Sequence, residues 1–136
     1  MKKDDCIFCK IADGKSPCYK IFENDFAIAF LDISKDIYGH TLVIPKEHFE
    51  NIFDVDEKYL FEVLNVVKKV ANHYKSLGFD GVNILNASGK PAEQTVMHLH
   101  FHIFPRKEGD EQRVYPNFAG TDVYFEAQLE KLKIVE

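Results

Sequence analysis

No stretch of this chain is apolar for long enough to span a membrane or act as a secretory leader, and its opening residues Met1-Lys2-Lys3-Asp4-Asp5-Cys6 are charged almost from the start. The expected location is the cytoplasm, with no membrane partner. A basic excess is missing as well. Lys and Arg number 17 against 22 Asp and Glu, for a formal net charge of -5, which removes the electrostatic footprint of a nucleic-acid binder. A small anionic ligand would have to be held by local donors. Cysteine is scarce and odd in number, at three, so no disulfide framework is expected. Repeats and low-complexity tracts are absent too. What remains is 136 residues, 46% hydrophobic and 29% charged, enough for one domain with a real core.

The chain is organised around His98-Leu99-His100-Phe101-His102-Ile103-Phe104, followed by Pro105. Imidazoles alternating with large apolar side chains give the period-two signature of a half-buried strand. Residues two apart share a face, so the pattern predicts three imidazoles on one side and Leu99, Phe101 and Ile103 toward a core. A strand needing only a polar face has Thr, Lys or Glu available. Three imidazoles in register point instead to chemistry, because neutral His is both nucleophile and metal ligand.

Upstream, residues 6–12 read as a helical turn, ended by Asp13-Gly14 and Ser16-Pro17. Strands are expected over 19–23 and 26–32, joined at Asn24-Asp25, and over 41–44 before Pro45. The second is apolar on both faces and should be interior. Residues 56–77 form the one long helix, with Leu60, Val63, Leu64, Val67, Val70, Ala71 and Tyr74 as its core stripe, an Asp start signal and Gly78 as terminator. Phe61 and Val66 fall off that stripe and suggest a second buried face, for which a dimer interface is the simplest partner, though a monomer with a broad core reads similarly. A fourth strand follows over 82–86, then a polar turn over 87–95, the histidine strand, a charged loop over 106–122, and a closing helix within 124–135. Cys18 reads as a small buried or half-buried residue, and His73 as a surface histidine. The sum is an α+β domain: an antiparallel sheet with one principal helix.

An imidazole held in one tautomer by a hydrogen bond at one nitrogen has the other free to attack, and phosphorus is a fitting electrophile. His100, the central one, is the expected nucleophile, with His102 and His40 donating protons or hydrogen bonds. The turn before it offers a phosphate cradle: Asn86, Ser88, Gln94 and Thr95 supply neutral donors, and Gly89 lets backbone amides approach an anion. Separately, Cys6 and Cys9 have the two-residue spacing of structural zinc sites. His48 and one of the three histidines would complete a tetrahedron; an unoccupied dithiol is the alternative.

The His-x-His-x-His motif with its apolar interleaving resembles the histidine-triad (HIT) superfamily, in particular its small nucleotide phosphoramidase and hydrolase branch. The resemblance extends from Cys6 to Arg106, through Phe30-Leu31-Asp32-Ile33-Ser34, Gly39-His40-Thr41-Leu42-Val43-Ile44-Pro45-Lys46 with His48, and Gln94-Thr95-Val96. It implies a five-stranded antiparallel sheet with one long helix and short flanking helices, in a single domain over 1–136 with its core at about 6–106 and a tail at 107–136. It also implies a homodimer. The resemblance makes His100 the residue that attacks the α-phosphorus and becomes nucleotidylated, and Thr95 a helper of the leaving group. Asp32 would accept the ribose hydroxyls, with Ile33, Phe8 and Ile7 lining the base slot. Asn86, Gln94, His102 and His40 would serve the phosphate or the triad's hydrogen bonds. The implied zinc ligands are Cys6, Cys9, His48 and His98, one structural zinc per chain, which takes His98 out of catalysis. The implied substrate is a purine nucleotide or nucleoside phosphoramidate.

This chain departs from the family pattern between Asn86 and Gln94, which runs one residue longer than usual and has Glu93 where a glycine is expected. A carboxylate and a more restricted backbone then sit beside the phosphate cradle. Dinucleoside polyphosphate hydrolysis is the nearest alternative activity. A nucleotide-binding regulatory protein with weak catalysis is the alternative that Glu93 favours.

Overall fold

The computed structural model describes residues 2–122 and 124–135. Five strands, β1 (Lys20–Glu23), β2 (Ala27–Leu31), β3 (Thr41–Pro45), β4 (Gly81–Leu85) and β5 (Phe101–Arg106), form one sheet in the order β1-β2-β3-β5-β4, every neighbouring pair antiparallel. The β1–β2 turn forms where Asn24-Asp25 predicts it. The Asn24 side-chain oxygen accepts from the amides of Phe26 and Ala27 at 2.8 and 2.9 Å, an Asx turn.

Both faces of the sheet are covered, which is why β2 and β3 read as unbroken apolar runs. On one face, Ala27, Ala29, Val43, Leu99, Phe101 and Ile103 pack against the long helix α2 (Glu57–Ser76). On the other, Ile28, Phe30, Leu42 and Ile44 pack against Phe8 and Ile11 of the short helix α1 (Ile7–Ala12). The three imidazoles share the α1 face, opposite Leu99, Phe101 and Ile103, as the alternation predicts.

Helix α2 begins at Asp56, whose carboxylate accepts from the Lys58 amide at 2.9 Å, and ends just ahead of Gly78 at φ +102°. Its buried residues are Val63, Val66, Val67, Val70 and Tyr74. Each such side chain contributes roughly 1.5–3 kcal/mol of burial. The expected stripe is corrected in two places: Val66 is core, while Leu64 is 41% exposed and lies with Phe61 on the outer side.

The histidine strand is corrected too. It starts at Phe101 and not at His98. Extending the β3–β5 ladder would place Leu99 opposite Pro45, which has no amide to donate. The chain ahead of Phe101 makes other bonds: the Leu99 amide donates to the Phe49 carbonyl at 2.7 Å, and the Asn86 side chain donates to the His100 carbonyl at 2.9 Å. The C-terminal helix α3 (Phe125–Leu132) forms but closes nothing, since none of its residues is buried.

Gly39, immediately before His40, sits at φ +78°, and a Cβ there would lie 2.9 Å from Cγ of Pro105 on β5. Gly39→Ala should therefore cost the left-handed backbone penalty of about 1–2 kcal/mol plus the displacement of a buried proline. The expected result is a lowered midpoint in chemical denaturation; an unchanged one would show that the loop relaxes freely.

Candidate active site and metal centre

Two clusters of polar side chains meet along residues 98–102. The first joins the N-terminal helix to the sheet. Cys9 Sγ lies 3.2 Å from His48 Nδ1 and 3.4 Å from His98 Nδ1, and Cys6 Sγ lies 3.4 Å from the same His98 nitrogen. A tetrahedral ion held at ordinary zinc bond lengths would put sulfur and nitrogen ligands about 3.5 Å apart; these three separations are close to that, and all four donor atoms lie within 4.8 Å of one another. His98 Nε2–H donates to the Pro45 carbonyl at 2.9 Å, which leaves Nδ1 as the lone-pair nitrogen facing the thiols. An outer bond of this kind is what fixes a metal-ligating histidine. Burial raises the Cys9 thiol above its ordinary range and lowers His98 to about 4 and His48 below its usual value. Neutral imidazoles suit metal ligation, and an arriving cation would displace the thiol protons. The cluster is therefore able to hold a metal ion, and its members are the four residues singled out in the sequence.

The second cluster contains the remaining imidazoles. His100 Nδ1–H donates to the His98 carbonyl at 2.7 Å, so its Nε2 carries the free lone pair. Phe8 packs edge-on against the His100 ring at 5.3 Å and against His98 at 5.9 Å, so it braces both rings from below. His102 Nδ1 is 2.8 Å from His40 Nε2, and His40 Nδ1 is 2.9 Å from a carboxylate oxygen of Asp36. Asp32 places its other oxygen 3.9 Å from His40 Nε2, while Oδ1 accepts from the Ser34 amide at 2.7 Å. Asp36 was not among the residues expected here. The available signal was a carboxylate four residues ahead of a histidine on a loop closed by glycine.

The other expected residues divide by what they touch. Ile33 is 79% exposed and Ile7 48%, at the open edge beside Asp32 and Cys6. Thr95 is exposed and borders a cleft of about 310 Å³ with Lys3, Ile7 and Met97. The two amides are engaged inside the protein. Asn86 holds the His100 carbonyl and accepts from Ser88 at 2.8 Å. Gln94, 4% exposed, accepts from the Gly89 amide at 2.8 Å and donates to the carbonyls of Glu50 and Val96 at 2.7 and 3.0 Å. In this geometry Gln94 braces the turn and Asn86 the backbone of His100. Glu93 adopts φ +69°, so the left-handed conformation that suits glycine survives the substitution.

Burial, reinforced by the neighbouring imidazoles of His100 and His40, lowers His102 to about 4, and burial lowers His100 as well. A histidine whose pKa is depressed on folding is neutral in the native state, whereas the unfolded chain takes up a proton below about 6.5. Stability should then be flat above pH 6.5 and decline as the pH falls from about 6.5 toward 4, by roughly 1–3 kcal/mol for His102, with His100 acting in the same direction. Urea denaturation across pH 8 to 4.5 reads this directly. Constant midpoints through that window would mean that the imidazoles are hydrated in the native state.

The HIT domain profile matches residues 13–109. The chain belongs to the HIT family. Adenosine 5'-monophosphoramidase hnt1 of Schizosaccharomyces pombe is 44% identical over 101 residues, which cover 74% of this chain and 74% of the yeast protein. Among solved structures, SMU.412c of Streptococcus mutans superposes with a TM-score of 0.82 at 37% identity, covering 96% of this chain and 82% of that one. A Zn-bound histidine triad family protein of Mycobacterium smegmatis superposes with a TM-score of 0.77 at 36% identity, covering 83% of each chain. The α+β architecture with its five-stranded antiparallel sheet is the HIT fold. No helix among the described residues is long and apolar enough to cross a membrane.

Proposed function

We propose that this HIT protein is a nucleoside 5'-phosphoramidase or related nucleotidyl hydrolase working through a covalent nucleotidyl-histidine. The observation that carries the proposal is the His100 ring, buried, neutral and pinned at Nδ1, with Nε2 left as a nucleophile. The Nε2 lone pair attacks the α-phosphorus. The bond from phosphorus to the leaving nitrogen breaks, and the amine departs with a proton. Water then attacks the same phosphorus, breaking the bond to Nε2 and releasing the nucleoside monophosphate. In this reading Asp32 accepts the ribose hydroxyls through its oxygen not committed to Ser34, Ile33 and Ile7 edge the base slot, and Phe8 supports it. Thr95, on the exposed loop, assists the leaving group. Asn86 and Gln94 act through the loop and backbone that they hold. The phosphoramidase name of the fission-yeast relative supports the substrate class.

Cys6, Cys9, His48 and His98 would hold one zinc, and its role would be structural. By fixing His98 it would fix the carbonyl that orients His100. The activity is assigned to the domain at about residues 6–106, with 107–136 as a tail, in the cytoplasm. Two copies are proposed to pair through β4, an edge strand with Ile84 and Leu85 half exposed, and the adjacent Phe61 and Leu64 of α2.

The test compares release of adenosine monophosphate from adenosine 5'-phosphoramidate and from diadenosine tetraphosphate. Faster release from the phosphoramidate supports the proposal. Preference for the tetraphosphate would favour a dinucleoside polyphosphate hydrolase. Tight nucleoside monophosphate binding without turnover of either would favour the regulatory reading that Glu93 suggests.

A further inference from the structure

We propose that Asp36 is a positioning residue that makes His40 and His102 a two-imidazole proton store beside the nucleophile, an inference that rests on the phosphoramidase reading for its catalytic consequence only. The geometry is a line of three groups. The Asp36 carboxylate is 2.9 Å from His40 Nδ1, and His40 Nε2 is 2.8 Å from His102 Nδ1.

A carboxylate only accepts, so His40 must carry its proton on Nδ1. Its Nε2 is then a lone pair and accepts from His102 Nδ1–H, and the free nitrogen of His102 is Nε2. In this state His102 cannot donate to a substrate. A proton arriving at His102 Nε2 changes that: the Nδ1 proton crosses to His40 Nε2, and the positive charge comes to rest on His40. His102 ends neutral, with an N–H at Nε2. The charged and titratable groups facing His40 are Asp36 and Asp32 from the loop after β2 and His102 from β5, with Phe104 stacked on its ring at 4.2 Å. Two carboxylates therefore stabilise the cation where it lands. His40 is itself buried, at 5% exposed, so these carboxylates and not hydration balance the charge, which is kept off His102 beside the His100 ring at 5.0 Å.

In the phosphoramidate reaction the store runs in reverse. As the phosphorus–nitrogen bond breaks, its electron pair goes to the departing nitrogen, which takes the Nε2 proton of His102. The His40 Nε2 proton returns to His102 Nδ1, and the pair is left neutral. The attacking water in the second step gives back one proton and resets the store.

The experiment uses the full chain in its metal-loaded form. Long-range proton–nitrogen NMR correlations report which ring nitrogens bear protons, and steady-state turnover of adenosine 5'-phosphoramidate is followed against pH. Wild type should show Nδ1–H on both His40 and His102 at alkaline pH. Asp36→Asn retains an oxygen to accept from His40 but removes the charge. It should lower the protonation midpoint of the pair, move the alkaline limb of the kcat profile down with it, and lower kcat by about 10-fold or more with little change in KM. Asp36→Ala should in addition release the His40 tautomer. Unchanged tautomers in Asp36→Ala with an unchanged midpoint in Asp36→Asn overturn the proposal. If wild type turns over no phosphoramidate while tautomers and midpoints behave as described, the phosphoramidase reading fails and the proton store stands.

Discussion

His100→Asn is expected to lower turnover of adenosine 5'-phosphoramidate by about 10⁴-fold or more while nucleoside monophosphate still binds. Asparagine is the informative replacement. His100 is only 6% exposed, so alanine would leave a cavity under Phe8, whereas the Asn amide can still donate to the His98 carbonyl. The loss then reports the missing nucleophile and not a collapsed site. Intact-mass measurement after rapid mixing and a mildly alkaline quench, which spares acid-labile phosphoramidate adducts, should show one adenylyl group on wild type and none on the variant. An adduct that persists in His100→Asn would move the covalent chemistry to another residue. Equal turnover in both proteins would remove it altogether.

Metal removal is the other large effect. Cys6 and His98 are 92 positions apart, so an ion held between them restrains a long loop of the unfolded chain as well as contributing its own binding energy. An ion present at about 1,000 times its dissociation constant contributes about 4 kcal/mol, and for a domain of this size stripping it should lower Tm by about 10 °C or more. Cys9→Ser should reproduce that loss. Cys18→Ser, at a half-buried thiol outside the cluster, should not. Turnover should fall together with Tm, because the His100 tautomer hangs on the carbonyl of His98, one of the four clustered residues. Protein purified without added metal should contain about one zinc per chain by elemental analysis; a metal-free protein with an unchanged Tm after chelation would overturn the assignment.

Much of this arrangement was legible in the sequence because it is local. The alternation from His98 to Ile103 gives the two faces correctly, since side-chain direction along an extended chain depends on parity alone. Parity says nothing about what lies above the polar face, however. His98 and His100 are as buried as core residues because α1 covers them, and α1 reaches them from 90 positions away. The strand's true start was hidden for the same reason, being set by Pro45, Phe49 and Asn86. The donor set Cys6, Cys9, His48 and His98 converges as its residue types suggest. For Gln94 and Asn86 the residue type shows only that an amide is available in a Gly-containing turn; the partners each takes inside the protein are decided by backbone that folds back from residues 50 and 100. Asp36 escaped notice because an acidic residue on a loop is ordinarily solvated.

The strand order has a consequence for how the molecule comes into being. β5 is inserted between β3 and β4, so the last strand of the sheet to leave the ribosome is interior, with neighbours on both sides. A growing chain that stops before residue 99 can pair β1, β2 and β3 but leaves the inner edge of β3 open and Val63, Val66 and Val67 without Leu99 and Ile103 to cover them. Such a fragment displays an unpaired strand edge and bare apolar surface, the two features that invite aggregation and recognition by chaperones. His100 and the strand that completes the core thus arrive together. A nascent molecule buries that histidine and closes its sheet in one late step, and a prematurely terminated one does neither.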